Sequence, residues 1–197
     1  MDFRDILQDI ITLFAIVNPI GGIPFFIEIT KKKTLKERNH IAYLTWVTGA
    51  VLLAGFAFAG QAMLDLVFRI TLNDVKIAGG ALLLVISILN IVKNQGKGEH
   101  HGVSASELSA VPLAFPLLVG PGSLITSVLI FQKQGFFVSM GIILVVSICM
   151  WVTLRYSAPL FKLFGELGTK VFSKVMNVIL AAIAVRFIMT GITSYIK

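Results

Sequence analysis

The sequence predicts an all-α integral membrane protein: six transmembrane helices in two inverted three-helix repeats, with helices 1 and 4 broken at the midplane. Three observations predict it. Aliphatic, aromatic and cysteine residues make up 56% of the 197 residues and charged residues only 14%, with a mean hydropathy of +0.90. The apolar residues run in uncharged stretches of the ~20 residues that a hydrocarbon core of about 30 Å requires, whereas a soluble domain is about a quarter charged. Two clusters of proline and glycine interrupt the first and fourth stretches at the same depth. A β-barrel would instead show short alternating segments, and the chain has none.

The spans follow in order. The first, about Ile6–Ile29, is interrupted by "NPIGGIP", with Pro19, Gly21, Gly22 and Pro24. It is too long for a secretory signal, follows acidic residues and lacks a small-x-small cleavage site, so it reads as part of the mature protein. The second, about Ile41–Met63, carries Gly49, Ala50, Ala54, Gly55, Ala59 and Gly60, small residues that let helix backbones approach closely. The third, about Val75–Val92, has Gly79–Gly80 for the same purpose. The fourth, about Leu108–Phe131, is interrupted by Pro112, Pro116, Gly120, Pro121 and Gly122. The fifth, about Phe136–Leu154, holds the lone cysteine, Cys149, which reads as a small buried hydrophobe. The sixth, about Val175–Ile196, pairs Ala181–Ala182 with a charge, Arg186. These spans use most of the chain, so residues 1–197 read as a single membrane domain with repeat one at about 1–95 and repeat two at about 105–197.

The net charge of +7 is a topology signal rather than a nucleic-acid patch. Of 17 Lys and Arg, eleven lie in alternate connections: the run "KKKTLKER", Lys93 and Lys97, and the stretch Arg155 to Lys174. Five (Arg4, Arg69, Lys76, Lys133 and Lys197) lie on the other side. The positive-inside bias puts both termini outside, in a bacterium the periplasm.

Setting Pro19 on Pro121 gives an offset of 102 residues and aligns "VNPIGG" with "VGPGSL". "KIAGGALLLVISI" in the third span and "KVMNVILAAIAV" in the sixth echo each other more weakly. A three-helix unit repeated once must be inverted, the layout of many secondary transporters, whose sites lie at the repeat interface near the midplane. Irregular backbone cannot face lipid, so both breaks should face one another inside the bundle or a water-filled cavity. Pro24 suits the first turn of one new half-helix, and Ser123 can cap the other. Two helix N-termini, each with the positive end of its dipole, would then converge on a small anionic group such as a carboxylate or phosphate. Asn18, Ser123, Thr126 and Ser127 add neutral hydrogen-bonding groups, which could equally be glue between helices. The candidate substrate-binding set is Asn18, Pro19, Gly21, Gly22, Gly120, Pro121, Gly122, Ser123, Thr126 and Arg186. Arg186, about 12 residues into a 22-residue span, is expected to point inward to a carboxylate, a carbonyl or the solute.

Asp9, Glu28, Asp65 and Glu107 are the acidic residues near the spans. His100 and His101 in "EHHG" read as a solvated loop rather than a metal tract, and no metal or cofactor is expected. No P-loop, nucleophile elbow, metal-protease helix or redox pair is present, which argues against an enzyme.

The motifs "NPIGGIPFF" and "PLAFPLLVGPGSLIT", each opening one half of the chain, together with "ILAAIAV" in the last span, resemble the MarC family of bacterial and archaeal inner-membrane proteins. The resemblance covers essentially the whole chain. Its motif residues map onto Asn18, Pro19, Gly21, Gly22 and Pro24, and onto Pro112, Pro116, Gly120, Pro121, Gly122 and Ser123. It implies an inner-membrane transporter, with some relatives described as proton-coupled carriers of small neutral amino acids. The leading expectation is thus a secondary transporter of small metabolites, most directly small neutral amino acids. A passive small-solute channel and a lipid-phosphate carrier or flippase remain open beside it. The expected partners are a small-molecule substrate and the lipid bilayer, with no nucleic acid; proton coupling and a homo-oligomer also stay open.

Overall fold

The computed structural model describes residues 3–62, 71–92 and 118–196, and among them the secondary structure is entirely helical and turn, without strands. Asp65, His100, His101, Glu107, Pro112 and Pro116 lie outside the described residues. Four helical stretches are long and apolar enough to cross a membrane: Leu35–Gly60, Leu72–Val92, Phe136–Arg155 and Leu167–Ile196. They belong to α3 (Leu35–Ala62), α4 (Leu72–Val92), α6 (Phe136–Arg155) and α7 (Ser157–Ile196). Gly165 breaks α7 internally, at φ 67° and ψ 176°, a conformation open to glycine because it has no Cβ.

The other helices are half-length. α1 (Phe3–Val17) and α5 (Pro121–Gln134) have 15 and 14 residues. At 1.5 Å per residue each rises only about 21–22 Å, short of a hydrocarbon core. α2 (Ile23–Thr30) is shorter still.

The end of α1 is written into Asn18. Its backbone is left-handed, φ 45°, a region asparagine enters more readily than most residues. Its N–H still donates to Phe14 O at 2.9 Å, closing the last turn of α1. Its side-chain Oδ1 accepts from the Gly21 N–H at 3.2 Å, and its carbonyl from the Gly22 N–H at 3.3 Å. One residue therefore stops the first helix and starts the next turn. Pro24 occupies the second position of α2, where its missing N–H leaves no vacant hydrogen bond.

The exterior is apolar, unlike that of a soluble protein. Exposed faces carry Val51 and Phe58 on α3, Val85 on α4, Leu144 on α6 and Val178 on α7. An apolar surface this continuous suits lipid rather than water. Buried positions include many hydroxyls, among them Ser87, Thr126, Ser127, Ser139, Ser147 and Thr153. Each of these six donates to a carbonyl three or four residues earlier in its helix or at its start, which satisfies its hydroxyl hydrogen locally. Cys149, expected to be buried, instead points out from α6. On either side of it in the helix Val146, Ser147 and Met150 take the inward positions.

The main core joins α1, α2, α3, α5 and α6 through Leu13, Phe26, Leu53, Leu124, Ile142 and Met150. A smaller one joins α1, α4 and α7 through Ile16, Leu83, Leu180 and Ala184. α4 and α7 lie close because glycines meet backbone. A Cβ on Gly80 would sit 2.7 Å from Ala184 O, and one on Gly191 would sit 2.9 Å from Asn73 O. Polar ties hold the helix ends: Lys133 on α5 bonds both Asp9 oxygens of α1 at 3.1 Å, and Tyr195 donates to Asp74 Oδ1 at 2.7 Å.

Candidate functional site

Residues from the turn after α1 and from the start of α5, the two places where the sequence predicts a break, line one cavity together with residues from α4 and α7. From the first break come Asn18, Gly21 and Gly22; from the second, Leu118, Gly120, Pro121, Gly122 and Ser123. α4 contributes Ser87 and Asn90, and α7 contributes Ser173 and Asn177. Apolar cover comes from Ile16, Val17, Leu83, Ile86 and Leu180.

The cavity holds about 160 Å³. An engineered apolar cavity of ~150 Å³ admits benzene, so this space suits a solute of roughly six heavy atoms. Among the described lining residues none is charged. The polarity is that of amides, hydroxyls and backbone, which can orient a small polar molecule without fixing a net charge.

The two half-helix starts differ. At the first, the N–H groups are already used: Gly21 on Asn18 Oδ1, Gly22 on Asn18 O and Ile23 on Ile20 O, while Pro24 has none. The expectation that both helix N-termini offer exposed N–H groups is corrected at the first, because the turn after Asn18 closes on itself. At the second, Gly120 is the N-cap and no side chain caps the helix. Ser123 does not cap it either. Its hydroxyl donates to Gly120 O at 2.8 Å, and its own N–H points to that same oxygen at 3.1 Å. Pro121 has no N–H, which leaves the Gly122 N–H as the first-turn donor at the positive end of the α5 dipole.

Glycines at the breaks serve two ends. A Cβ on Gly120 would meet nothing within 4 Å, so the cavity reaches this backbone directly. A Cβ on Gly22 would sit 2.8 Å from Leu118 Cδ2, and one on Gly122 would lie 2.7 Å from Leu83 Cγ. There the missing side chain permits close packing between elements.

Three expected site residues lie elsewhere. Pro19 is buried and does not line the cavity. Thr126 is 2% exposed and donates to Gly122 O at 2.7 Å, one turn further along α5 than the cavity reaches. Arg186 is on an exposed face of α7 and lines no part of the cavity. The apolar part of α7 begins at Leu167, not Val175, so Arg186 sits past its middle, ten residues before Ile196. About 15 Å of helix remains beyond it, and its long arm can run toward the interface. Asp9, one of the acidic residues near the spans, is paired with Lys133 and Gln134 near the middle of α1, nine residues before Asn18.

Four polar lining residues were not anticipated: Ser87, Asn90, Ser173 and Asn177. Their signal was present, since Asn90 and Asn177 are side-chain amides inside or at the edge of apolar runs, where an amide needs a partner. Each turned out to be the other's, with Asn90 Nδ2 donating to Asn177 Oδ1 at 3.3 Å.

A family model described as MarC family integral membrane protein matches residues 3–196. The chain belongs to the MarC family. Similar curated proteins of this family span its whole length. A UPF0056 membrane protein of Methanocaldococcus jannaschii is 35% identical, covering 98% of each chain. The UPF0056 membrane protein YhcE of Escherichia coli is 31% identical, over 97% of this chain and 93% of its own. YvbG of Bacillus subtilis, also a UPF0056 membrane protein, is 29% identical over 98% and 96%. No solved structure matches the chain. MarC membership and the long apolar helices agree on an integral, multi-pass membrane protein.

Proposed function

We propose that this MarC-family protein is a secondary transporter of small neutral amino acids across the bacterial inner membrane, and not an enzyme. One observation carries the reading: a cavity of about 160 Å³, lined by both helix breaks, in which no described lining residue is charged. A carboxylate is favoured at the uncapped start of α5 by the helix dipole and the Gly122 N–H. The volume accepts glycine, alanine or serine with little to spare. A lipid-phosphate carrier would need cationic charge at this cavity, and Arg186, the candidate for it, is elsewhere.

The proposed architecture is six spans in two inverted repeats within one membrane domain, with both termini periplasmic. Pairwise packing supports it: α3 against α6 and α4 against α7 each join one helix from each proposed repeat. Alternating access would follow from one repeat rocking on the other about the cavity, with a proton as the coupling ion.

The test is uptake of labelled glycine, L-alanine and L-serine into proteoliposomes, with and without an imposed proton gradient. Accumulation above the external concentration is expected only with the gradient. Uptake that merely equilibrates would favour a channel, and no uptake of any of the three would overturn the substrate class. Topology is tested on a Cys149→Ser background. New cysteines placed before Phe3 and after Lys197 should react with impermeant reagents from the periplasm, and one at Lys33 should not.

A further inference from the structure

The cavity has two poles although none of its described lining residues is charged. Hydrogen bonds behind its α4 and α7 wall determine which atoms face inward. Asn177, 2% exposed, donates its Nδ2 to Ser173 O at 2.9 Å. A backbone carbonyl can only accept, so this bond assigns the amide: nitrogen toward Ser173, oxygen outward. Asn177 Oδ1 in turn accepts from Asn90 Nδ2 at 3.3 Å. The relay therefore ends on Asn90 Oδ1, an acceptor. Asn90 is half-buried, the more open of the two amides, and is the one that solute can reach. Ser87 beside it adds no donor, because its hydroxyl is donated to Leu83 O at 2.7 Å.

The opposite wall has the reverse sign. Asn18 Oδ1 accepts from the Gly21 N–H, which turns Asn18 Nδ2 outward as a donor. The uncapped first turn of α5 adds the Gly122 N–H. Donors at the breaks and an acceptor on α4 thus line the same small space.

We propose that Asn90 is the residue that recognises the substrate's amino group, accepting from it through Oδ1, and that Asn177 is a positioning residue that holds Asn90 in the accepting orientation. The inference rests on the transporter reading above and adds the chemical requirement for selection. The ligand must carry a carboxylate or other acceptor at one end and an ammonium at the other, within about six heavy atoms. An α-amino acid has this polarity; a monocarboxylate of the same size lacks the donor end. A neutral amide suits this task because an aspartate there would carry a full charge into the cavity whenever the substrate is absent.

The experiment uses the full chain in proteoliposomes, with the half-saturation constant for labelled L-alanine and the inhibition constant for propionate, which is alanine without its amino group. Wild type should prefer alanine. A hydrogen bond to an ionised group is worth about one to two orders of magnitude in affinity, so Asn90→Leu should weaken alanine by about ten- to hundredfold and leave propionate unchanged. Asn177→Leu should weaken alanine by about three- to tenfold through the same loss of selectivity, since a neutral hydrogen bond holding Asn90 is lost. A purely structural role for either residue would weaken both ligands alike, and that result overturns the proposal. Gel filtration reports folding. Should Asn90→Leu fail to fold, Asn90→Asp, which keeps the acceptor, must retain the preference for alanine; its loss there also overturns the proposal. Wild-type vesicles that take up no alanine overturn the transporter reading and this one with it. Wild-type uptake with an unchanged alanine-to-propionate ratio in the variants overturns this one alone.

Discussion

Gly122 is where the second helix break meets α4, and a single methyl there should be felt. A Cβ on Gly122 would lie 2.7 Å from Leu83 Cγ and 3.2 Å from Leu83 Cδ1. Carbon atoms rest at about 3.5–4.0 Å, so Leu83 must retreat by roughly an ångström or α5 must lift from α4. Leu83 is 5% exposed and packed with Ile16, Leu180 and Ala184, which leaves the cavity as its only soft direction. Overpacking of this kind costs about 1–3 kcal/mol. Gly122→Ala should therefore lower the thermal midpoint of the detergent-solubilised protein by a few degrees to about ten. Gly120→Ala is the control: its Cβ meets nothing within 4 Å, so stability should stay within about 0.5 kcal/mol. The cause is tested by a double-mutant cycle. Leu83→Ala alone leaves a hole and costs about 2–5 kcal/mol, but combined with Gly122→Ala it makes room for the new methyl. The pair should then be less destabilised than the sum by at least about 1 kcal/mol. Additive losses, or a Gly122→Ala protein as stable as wild type, would refute the close approach of α5 to α4.

Other substitutions probe the remaining features. Gly80→Ala puts its methyl 2.7 Å from a backbone oxygen that cannot rotate away, so it should separate α4 from α7 and cost about 1–3 kcal/mol by unfolding in mixed micelles, while Gly55→Ala, in open space, should cost little. Asn18→Ala loses both the tolerance for φ 45° and the bond to the Gly21 N–H, and should cost about 1–3 kcal/mol; Asn18→Gly, which keeps the backbone conformation, should cost less in the same assay. Arg186→Gln should leave alanine affinity in proteoliposomes within about twofold of wild type, since the guanidinium lies off the cavity; a tenfold loss would put it back in the site.

Much of this molecule is legible in the residues because the causes are local. Proline and glycine act on their own backbone, so the turn at Asn18–Gly22 and the start of α5 at Pro121 could be located from "NPIGG" and "VGPG" before any neighbour was known. Runs of apolar residues long enough to cross a bilayer are likewise a property of the chain alone, and the helices Leu72–Val92 and Phe136–Arg155 fall where the third and fifth spans were expected. Direction is different. Whether Arg186, Thr126 or Cys149 looks inward depends on how its helix is rotated and what packs on it, and an offset of one or two residues turns a side chain to another face. The sixth span begins earlier than its hydropathy suggested, which moved Arg186 off centre. Hydrogen-bond assignment is equally non-local. Asn90 and Asn177 are 87 positions apart, and only the antiparallel contact of α4 with α7 makes one the partner of the other. The sequence by itself determined the membrane class, the turn after Asn18 and the start of α5. Tertiary structure decided the sign of each wall of the cavity, because a neutral amide has no polarity of its own until a neighbour fixes which end is free.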